Sequence, residues 1–351
     1  MEVHKEKYGR ISDSDVYQFI ITNDQGVEIR VIEYGGIVTH LLVPDKNGQK
    51  DDIVCGFDTL EGYLGDHPYF GAIIGRYGNR IAGGKFNLED KEYNLPINNG
   101  GNCLHGGIRD FSKHLWKGEV IREGASCGIK LSRTSPHLEE GFPGNLEVSV
   151  TYLLNNKNEW SIHYNAITDK PTVVNMTNHS YFNLSGHGNG TILNHFLAID
   201  ADYFTPVNDN MIPIGIHDQV ENTAFDFRKG KTVGRDIKSS SNKMIKDARG
   251  YDVNYVLNGI AGQIRKVATL TDEASGRSMT VHTDTPGMQL YCSYWLEGIL
   301  GKDNRAYFPY CAACLETQYF PDAPNQPLFP STILRPEKSL NSTTRYTFSW
   351  K

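Results

Sequence analysis

Glu316 interrupts an otherwise apolar run in Cys314-Leu315-Glu316-Thr317-Gln318-Tyr319-Phe320. A carboxylate so placed is either an edge residue or a buried acid or base, because burying an ionisable group is costly. His179 stands in Asn175-Met176-Thr177-Asn178-His179-Ser180-Tyr181-Phe182-Asn183-Leu184. Its amide and hydroxyl neighbours are satisfied by a polar network or by a polyol. His105 follows Asn98-Asn99-Gly100-Gly101-Asn102-Cys103-Leu104 and precedes Gly106-Gly107. Those glycines let backbone approach a ligand while the imidazole is held in a cleft, although a turn with a surface histidine fits the same residues. Gly75-Arg76-Tyr77-Gly78-Asn79-Arg80-Ile81-Ala82 adds two guanidinium groups and an amide among glycines. One carboxyl group, two imidazoles and fixed donors suit proton transfer on a hydroxyl-rich ligand.

Other motifs fail on inspection. Arg228-Lys229-Gly230-Lys231-Thr232 resembles the end of a phosphate loop, but the required upstream glycine position is Phe225. Gly186-His187-Gly188-Asn189-Gly190 has no βαβ unit around it, so it reads as a turn. Cys311-Ala312-Ala313-Cys314 is read as part of a strand, where residues three apart face opposite ways, so no zinc or redox pair is expected. Sequons begin at Asn175, Asn178, Asn183, Asn189 and Asn341; their crowding points to asparagine used for some other purpose than glycan attachment.

The elements that must hold these residues are strands. Tyr17, Phe19 and Ile21 alternate with polar positions, turn at Asn23-Asp24-Gln25-Gly26, and resume as Val27, Ile29 and Val31. Leu146 to Leu154 and Trp160 to Ala166 repeat the pattern around Asn155-Asn156-Lys157-Asn158. Both are hairpins by period-2 spacing and turn chemistry. Helical periodicity is thin, with short helices conceivable only at Thr59–Leu64 and Val233–Lys246. Alternation from residue 16 to residue 350, without a linker or repeat, predicts an all-β chain: one large antiparallel β-sandwich domain over 1–351.

Composition bounds the rest. Hydrophobic residues are 39% and charged residues 22% of 351, an ordinary globular balance. Lys+Arg 35 against Asp+Glu 41 gives −6, which offers no basic footprint for nucleic acid. No apolar run is long enough for a spanning helix, and Met1–Lys7 leads into no signal-like segment. Six scattered cysteines in a chain of this size fit reduced thiols in a cytoplasm.

Taken together, the four polar segments resemble the aldose 1-epimerases, the galactose mutarotase family. The motifs Asn79-Arg80-Ile81-Ala82, Leu104-His105-Gly106-Gly107, Asn178-His179-Ser180-Tyr181-Phe182-Asn183-Leu184 and Leu315-Glu316-Thr317-Gln318 stand in the family's order. Phe225-Asp226-Phe227-Arg228, Tyr251-Asp252-Val253-Asn254 and Pro286-Gly287-Met288-Gln289 fit it too, and the resemblance covers essentially the whole chain. It implies a β-supersandwich, chemistry without cofactor, and a free aldohexose as substrate; no metal is expected, and a monomer is expected before a dimer. It also implies that Asn79, Arg80, Asp252 and Gln289 position the sugar. His105 would steady the ring-oxygen side, His179 would be the general acid and Glu316 the general base. One departure follows Gln289: the family's Gly-Asn pair near its Tyr-Thr is replaced within Leu290-Tyr291-Cys292-Ser293-Tyr294-Trp295-Leu296, so sugar contacts from this loop are expected to differ.

Anomer exchange needs only two proton handlers. The C1 hydroxyl loses a proton, the ring oxygen gains one, the C1–O5 bond opens, and the aldehyde turns before reclosing. A carboxylate with an ordinary pKa of about 4.3 and a histidine near 6.5 match those steps at neutral pH. Three rivals stand beside this reading. A non-catalytic sugar-binding protein need not keep Glu316 with His179. A phosphosugar 1-epimerase would add a basic cluster for the phosphate. A glycoside hydrolase would pair two carboxylates, here Asp252 with Glu316.

Overall fold

The computed structural model describes residues 1–239 and 241–351. The chain begins as a meander of β1 (Glu2–Ile11), β2 (Ser14–Thr22), β3 (Glu28–Ile32), β4 (Val38–Pro44) and β5 (Lys50–Asp52), paired in that order. The β2–β3 turn forms because the Asn23 side-chain oxygen accepts the amide N–H groups of Gln25 at 3.0 Å and Val27 at 2.9 Å. Gly26 takes φ 95°, a conformation that glycine adopts without steric cost. β1 lies outside the stretch where alternation is visible. It is the edge strand of its sheet and is largely exposed, with only Val3, Tyr8 and Ile11 packed against the cores.

Next come β6 (Lys117–Glu123), β7 (Ser126–Ser135), β8 (Leu146–Asn155), β9 (Glu159–Thr168), β10 (Phe196–Ile199), β11 (Tyr203–Thr205), β12 (Asp218–Gln219) and β13 (Lys231–Thr232). The chain continues through β14 (Asp252–Val256), β15 (Arg265–Asp272), β16 (Arg277–Thr283), β17 (Gly287–Tyr291), β18 (Cys314–Gln318) and β19 (Leu340–Trp350). A nine-stranded sheet runs β6-β7-β8-β9-β19-β16-β15-β10-β13, and a five-stranded one β12-β11-β14-β17-β18. Every pairing between these strands is antiparallel. β19 lies between strands made far earlier, with Tyr346 opposite both Trp160 and Val281.

The three sheets share one apolar core. Phe19, Ile21 and Val31 come from the first sheet, Leu131, Val150 and Tyr152 from the long one, and Val253, Leu290 and Leu315 from the third. All are nearly or fully buried. Burying each such side chain contributes about 1.5–3 kcal/mol. Because successive residues of a strand face opposite ways, core-facing Val253, Leu290 and Leu315 turn Asp252, Gln289 and Glu316 to the other face.

Helix is confined to short pieces. Leu60–Leu64 matches one expected position; at the other, a 3₁₀ turn at Val233–Arg235 and a helix at Lys243–Ala248 flank Ser240, which lies outside the described residues. No described helix is long and apolar enough to cross a membrane. The strand reading of Cys311-Ala312-Ala313-Cys314 needs correction: β18 starts only at Cys314, and Cys311 sits in the bend before it. Cys311 packs by Ser293, its sulfur 3.9 Å from the serine hydroxyl. All six thiols are buried and free.

Candidate active site

Two backbone clamps build one wall of a cleft. The short strand Arg80–Ile81 pairs antiparallel with Cys103–Leu104, which sets the Asn79-Arg80 motif beside the His105 motif. His105 then donates its amide N–H to the Asn79 carbonyl at 3.0 Å, and the Asn79 amide N–H donates to His105 Nδ1 at 3.1 Å. Both residues hold left-handed backbone angles, φ 61° at Asn79 and 53° at His105. Arg76, the other arginine of that segment, turns away and is not a site residue. Its buried guanidinium donates to the carbonyls of Ser135, Pro143 and Gly144, and burial lowers its pKa to about 10.

His179 is fixed through its own backbone. Its carbonyl accepts the Gly71 amide and its amide donates to the Ala72 carbonyl, each at 3.0 Å. Gly71 is required here, since a Cβ would lie 2.2 Å from the Val38 carbonyl oxygen. The clustered asparagines find their purpose in the same region. Asn178 donates to the Gly71 carbonyl at 2.9 Å, Asn175 to that of Tyr319 at 3.1 Å, and Asn183 to that of Cys311 at 2.9 Å. These are backbone staples around the site.

Glu316 enters from β18. Gln289 is its cross-strand partner and Asn254 is the partner of Gln289, so three sheet positions form one row. Asp252 is held by Gln289 Nε2 at 2.5 Å and lies 4.0 Å from Arg80 Nη1. Arg80 Nε donates to Asn99 at 3.1 Å. Across the cleft, Glu316 Oε1 is 3.6 Å from His179 Nε2. Glu316 Oε2 and Gln289 Oε1 are buried without a protein partner, which leaves unmet hydrogen-bonding capacity at the site. The cleft measures about 340 Å³ and takes in Asn79, Arg80, His105, His179, Asp252 and Glu316. Gln289 adjoins it through its bond to Asp252. A larger hollow of about 730 Å³ lies near Arg228, whose guanidinium is already bound by Asp226.

Ordinary pKa values do not carry over to this site. Burial pushes the Glu316 carboxyl well above its usual range, the Asp252 charge adds to that, and Arg80 opposes both. Burial brings His179 down to about 3 and also holds His105 well below its usual value, with His179 and Arg80 contributing. Both shifts act against charge on the two groups. Burial favours carboxylic acid with neutral imidazole, whereas carboxylate with imidazolium needs polar contacts to stabilise it.

His105, His179 and Glu316 have ring nitrogens and a carboxylate oxygen within 4.8 Å of one another, the only such grouping among the described residues. It does not fit a cation well. Nδ1 of His105 accepts the Asn79 amide, so the neutral ring carries its proton on Nε2 and offers a donor, where a metal needs a lone pair.

Comparison with known proteins is decisive about kinship. The family model described as Aldose 1-epimerase matches residues 17–347. The chain belongs to the aldose 1-epimerase family. It is 44% identical over 335 residues to a galactose mutarotase of Rattus norvegicus, covering 95% of this chain and 94% of that one. It is 32% identical over 340 residues to an aldose 1-epimerase of Escherichia coli K12, covering 96% of each. An aldose epimerase homologue from C. elegans, of known crystal structure, superposes with a TM-score of 0.84 at 32% identity, covering 94% of this chain and 98% of that one.

Within this aldose 1-epimerase, several cleft residues escaped sequence reasoning. Pro68, Tyr69, Tyr181, Tyr291 and Trp295 line the cavity. Tyr181 and Tyr291 sit within motifs already singled out, but no pattern separates their rings from core aromatics. Trp295 belongs to the departing loop. It stays 60% exposed, with the Arg249 guanidinium 5.3 Å from its ring. Tyr69 follows Asp66-His67-Pro68, which match no motif singled out in the sequence.

Proposed function

We propose that this chain is an aldose 1-epimerase acting on free hexoses such as galactose and glucose, interconverting their α and β anomers by ring opening and reclosure. The observation that carries the reading is Glu316 and His179 facing each other at 3.6 Å in a cleft rimmed by fixed donors and acceptors. In this reading Glu316 as carboxylate takes the C1 hydroxyl proton while protonated His179 gives one to O5. On reclosure the two exchange roles, and the proton count is conserved. Arg80, Asn79, Asp252 and Gln289 bind the hydroxyls, and Arg80 also favours the ionised form of Glu316. His105 presents Nε2–H to the ring-oxygen side, a donor whose direction its bond from Asn79 fixes. Each proton handler is worth about 10²–10⁴-fold.

The rival readings fare worse on particular contacts. Asp252 is already bound by Gln289 and faces Arg80, as a positioning carboxylate would be, so it makes a poor nucleophile or second proton handler. Arg80 is the one cation among the described residues lining the cleft, which gives a phosphosugar little to bind. Buried free thiols support a reducing cytoplasm as the compartment. We take one domain, acting alone or as a dimer, to be the working unit. The test is polarimetry of freshly dissolved α-galactose and α-glucose. Decay faster than the spontaneous rate, in proportion to protein, is expected; an unchanged rate overturns the reading.

A further inference from the structure

Tyr69 holds φ 61°, a left-handed conformation that a bulky side chain rarely adopts, and it does so at the cleft wall. Such strain persists only when surrounding structure over-determines it, and it gathers at functional sites. The surroundings here are explicit. The Tyr69 carbonyl accepts the Ala72 amide at 3.1 Å, and the Ala72 carbonyl accepts the His179 amide at 3.0 Å. The turn that carries the Tyr69 ring is therefore tied to the backbone of His179.

The ring geometry gives the strain a purpose. The Tyr69 ring lies near-parallel to the His179 imidazole, 22° apart with centroids at 6.0 Å. Its edge contact with His105 is closer, at 4.7 Å and 70°. His179 has a second near-parallel neighbour in Tyr181, at 4.9 Å and 16°. The two imidazoles stand nearly perpendicular, 5.2 Å apart. One side chain thus neighbours both histidines, closely at His105 and at greater distance from His179. A tyrosine face also attracts a positive ring, so it offsets part of what burial takes from protonated His179.

We propose that Tyr69 is a positioning residue for the reaction, whose aromatic face holds His179 and His105 in their working planes and favours the charged form of His179. The role rests on the anomer-exchange reading given above. It acts through the histidines, so the benefit falls on the chemical step and not on sugar affinity.

Two substitutions separate ring from backbone. Tyr69→Phe keeps the aromatic face. Tyr69→Asn removes it, while asparagine tolerates the left-handed backbone, so the turn is retained. Polarimetric kinetics on galactose should show Tyr69→Phe within twofold of wild type. Tyr69→Asn should lose about 10- to 100-fold in kcat with KM changed less than twofold, the usual cost of small misplacement at a reacting centre. A rise in KM at unchanged kcat would make Tyr69 a sugar contact and overturn the role. So would equal losses in both variants, or a Tyr69→Asn enzyme as fast as wild type. A wild-type chain without mutarotation overturns the functional reading and this role with it, whereas an active wild type matched by Tyr69→Asn overturns the role alone.

Discussion

Asn79 and His105 bond to each other twice: amide to carbonyl at 3.0 Å in one direction, and amide to imidazole Nδ1 at 3.1 Å in the other. That second bond fixes the tautomer, because a neutral ring accepting at Nδ1 must carry its proton on Nε2. His105 is thereby a donor of set direction.

His105→Ala should therefore lower kcat/KM for galactose by about 10²-fold, the typical worth of one preorganised donor to developing charge. Steady-state polarimetry measures this. A variant within threefold of wild type would show that the donor does not reach the reacting sugar.

Glu316→Gln preserves shape and hydrogen bonding but cannot take a proton. The expected loss is about 10²–10⁴-fold in kcat with KM nearly unchanged. Circular dichroism verifies the fold, and wild-type kcat in this variant would remove Glu316 as the base.

The same substitution should alter stability in a pH-dependent way. The folded pKa of Glu316 lies above its ordinary value of 4.5, so its stabilising contribution is complete below that pH and is lost as pH rises. His179 behaves oppositely: lowered from 6.5 to about 3, it contributes above pH 6.5 and loses that contribution as pH falls toward 3. Glu316→Gln removes the first effect. Its melting temperature should match wild type at pH 4 and exceed it by about 1–2 °C at pH 8, the shift that ~1 kcal/mol gives a chain of 351 residues. A gain confined to low pH would contradict the burial argument.

Trp295→Ala should raise KM for galactose about three- to tenfold and leave kcat within twofold. The ring is 60% exposed at the cleft, so its loss leaves the core intact while removing an apolar platform for the sugar's C–H face. Isothermal titration calorimetry with galactose measures the affinity directly; unchanged affinity would place Trp295 outside the sugar's reach.

Exhaustive chelation should leave mutarotation unchanged. The proposed steps move protons between Glu316, His179 and sugar, and His105 offers a cation an N–H where it needs a lone pair. Polarimetry after dialysis against EDTA tests this, and loss of activity restored by added zinc would refute it.

The sequence carried much of the architecture because period-2 alternation survives wherever a strand buries one face, as in Leu146–Asn155 and its partner. It failed at β1, a largely exposed edge strand that packs only Val3, Tyr8 and Ile11 against the cores, and at Cys311, where a bend interrupts an apolar run. Of the site, Glu316 stood out as a carboxyl group in an apolar strand, whereas Asn79, Arg80, Asp252 and Gln289 were named only through the family's motifs. Tyr69 and Trp295 were not legible, since an aromatic that serves a cleft looks the same in sequence as one that fills a core. The altered acidity of Glu316 and His179 was hidden as well, because burial by residues distant in sequence has no local signature.

β19 between β9 and β16 has a consequence for synthesis. Residues 159–168 and 277–283 cannot be joined in one sheet until residues 340–350 have cleared the ribosome. Until then the nascent chain holds two unfinished sheet fragments, each with an open edge that another chain can pair with. The cleft residues from Pro68 to Glu316 all precede that closing strand, so every cleft side chain is synthesised before the long sheet can close. Its dependence on chaperones should peak in the interval between the synthesis of β18 and the insertion of β19.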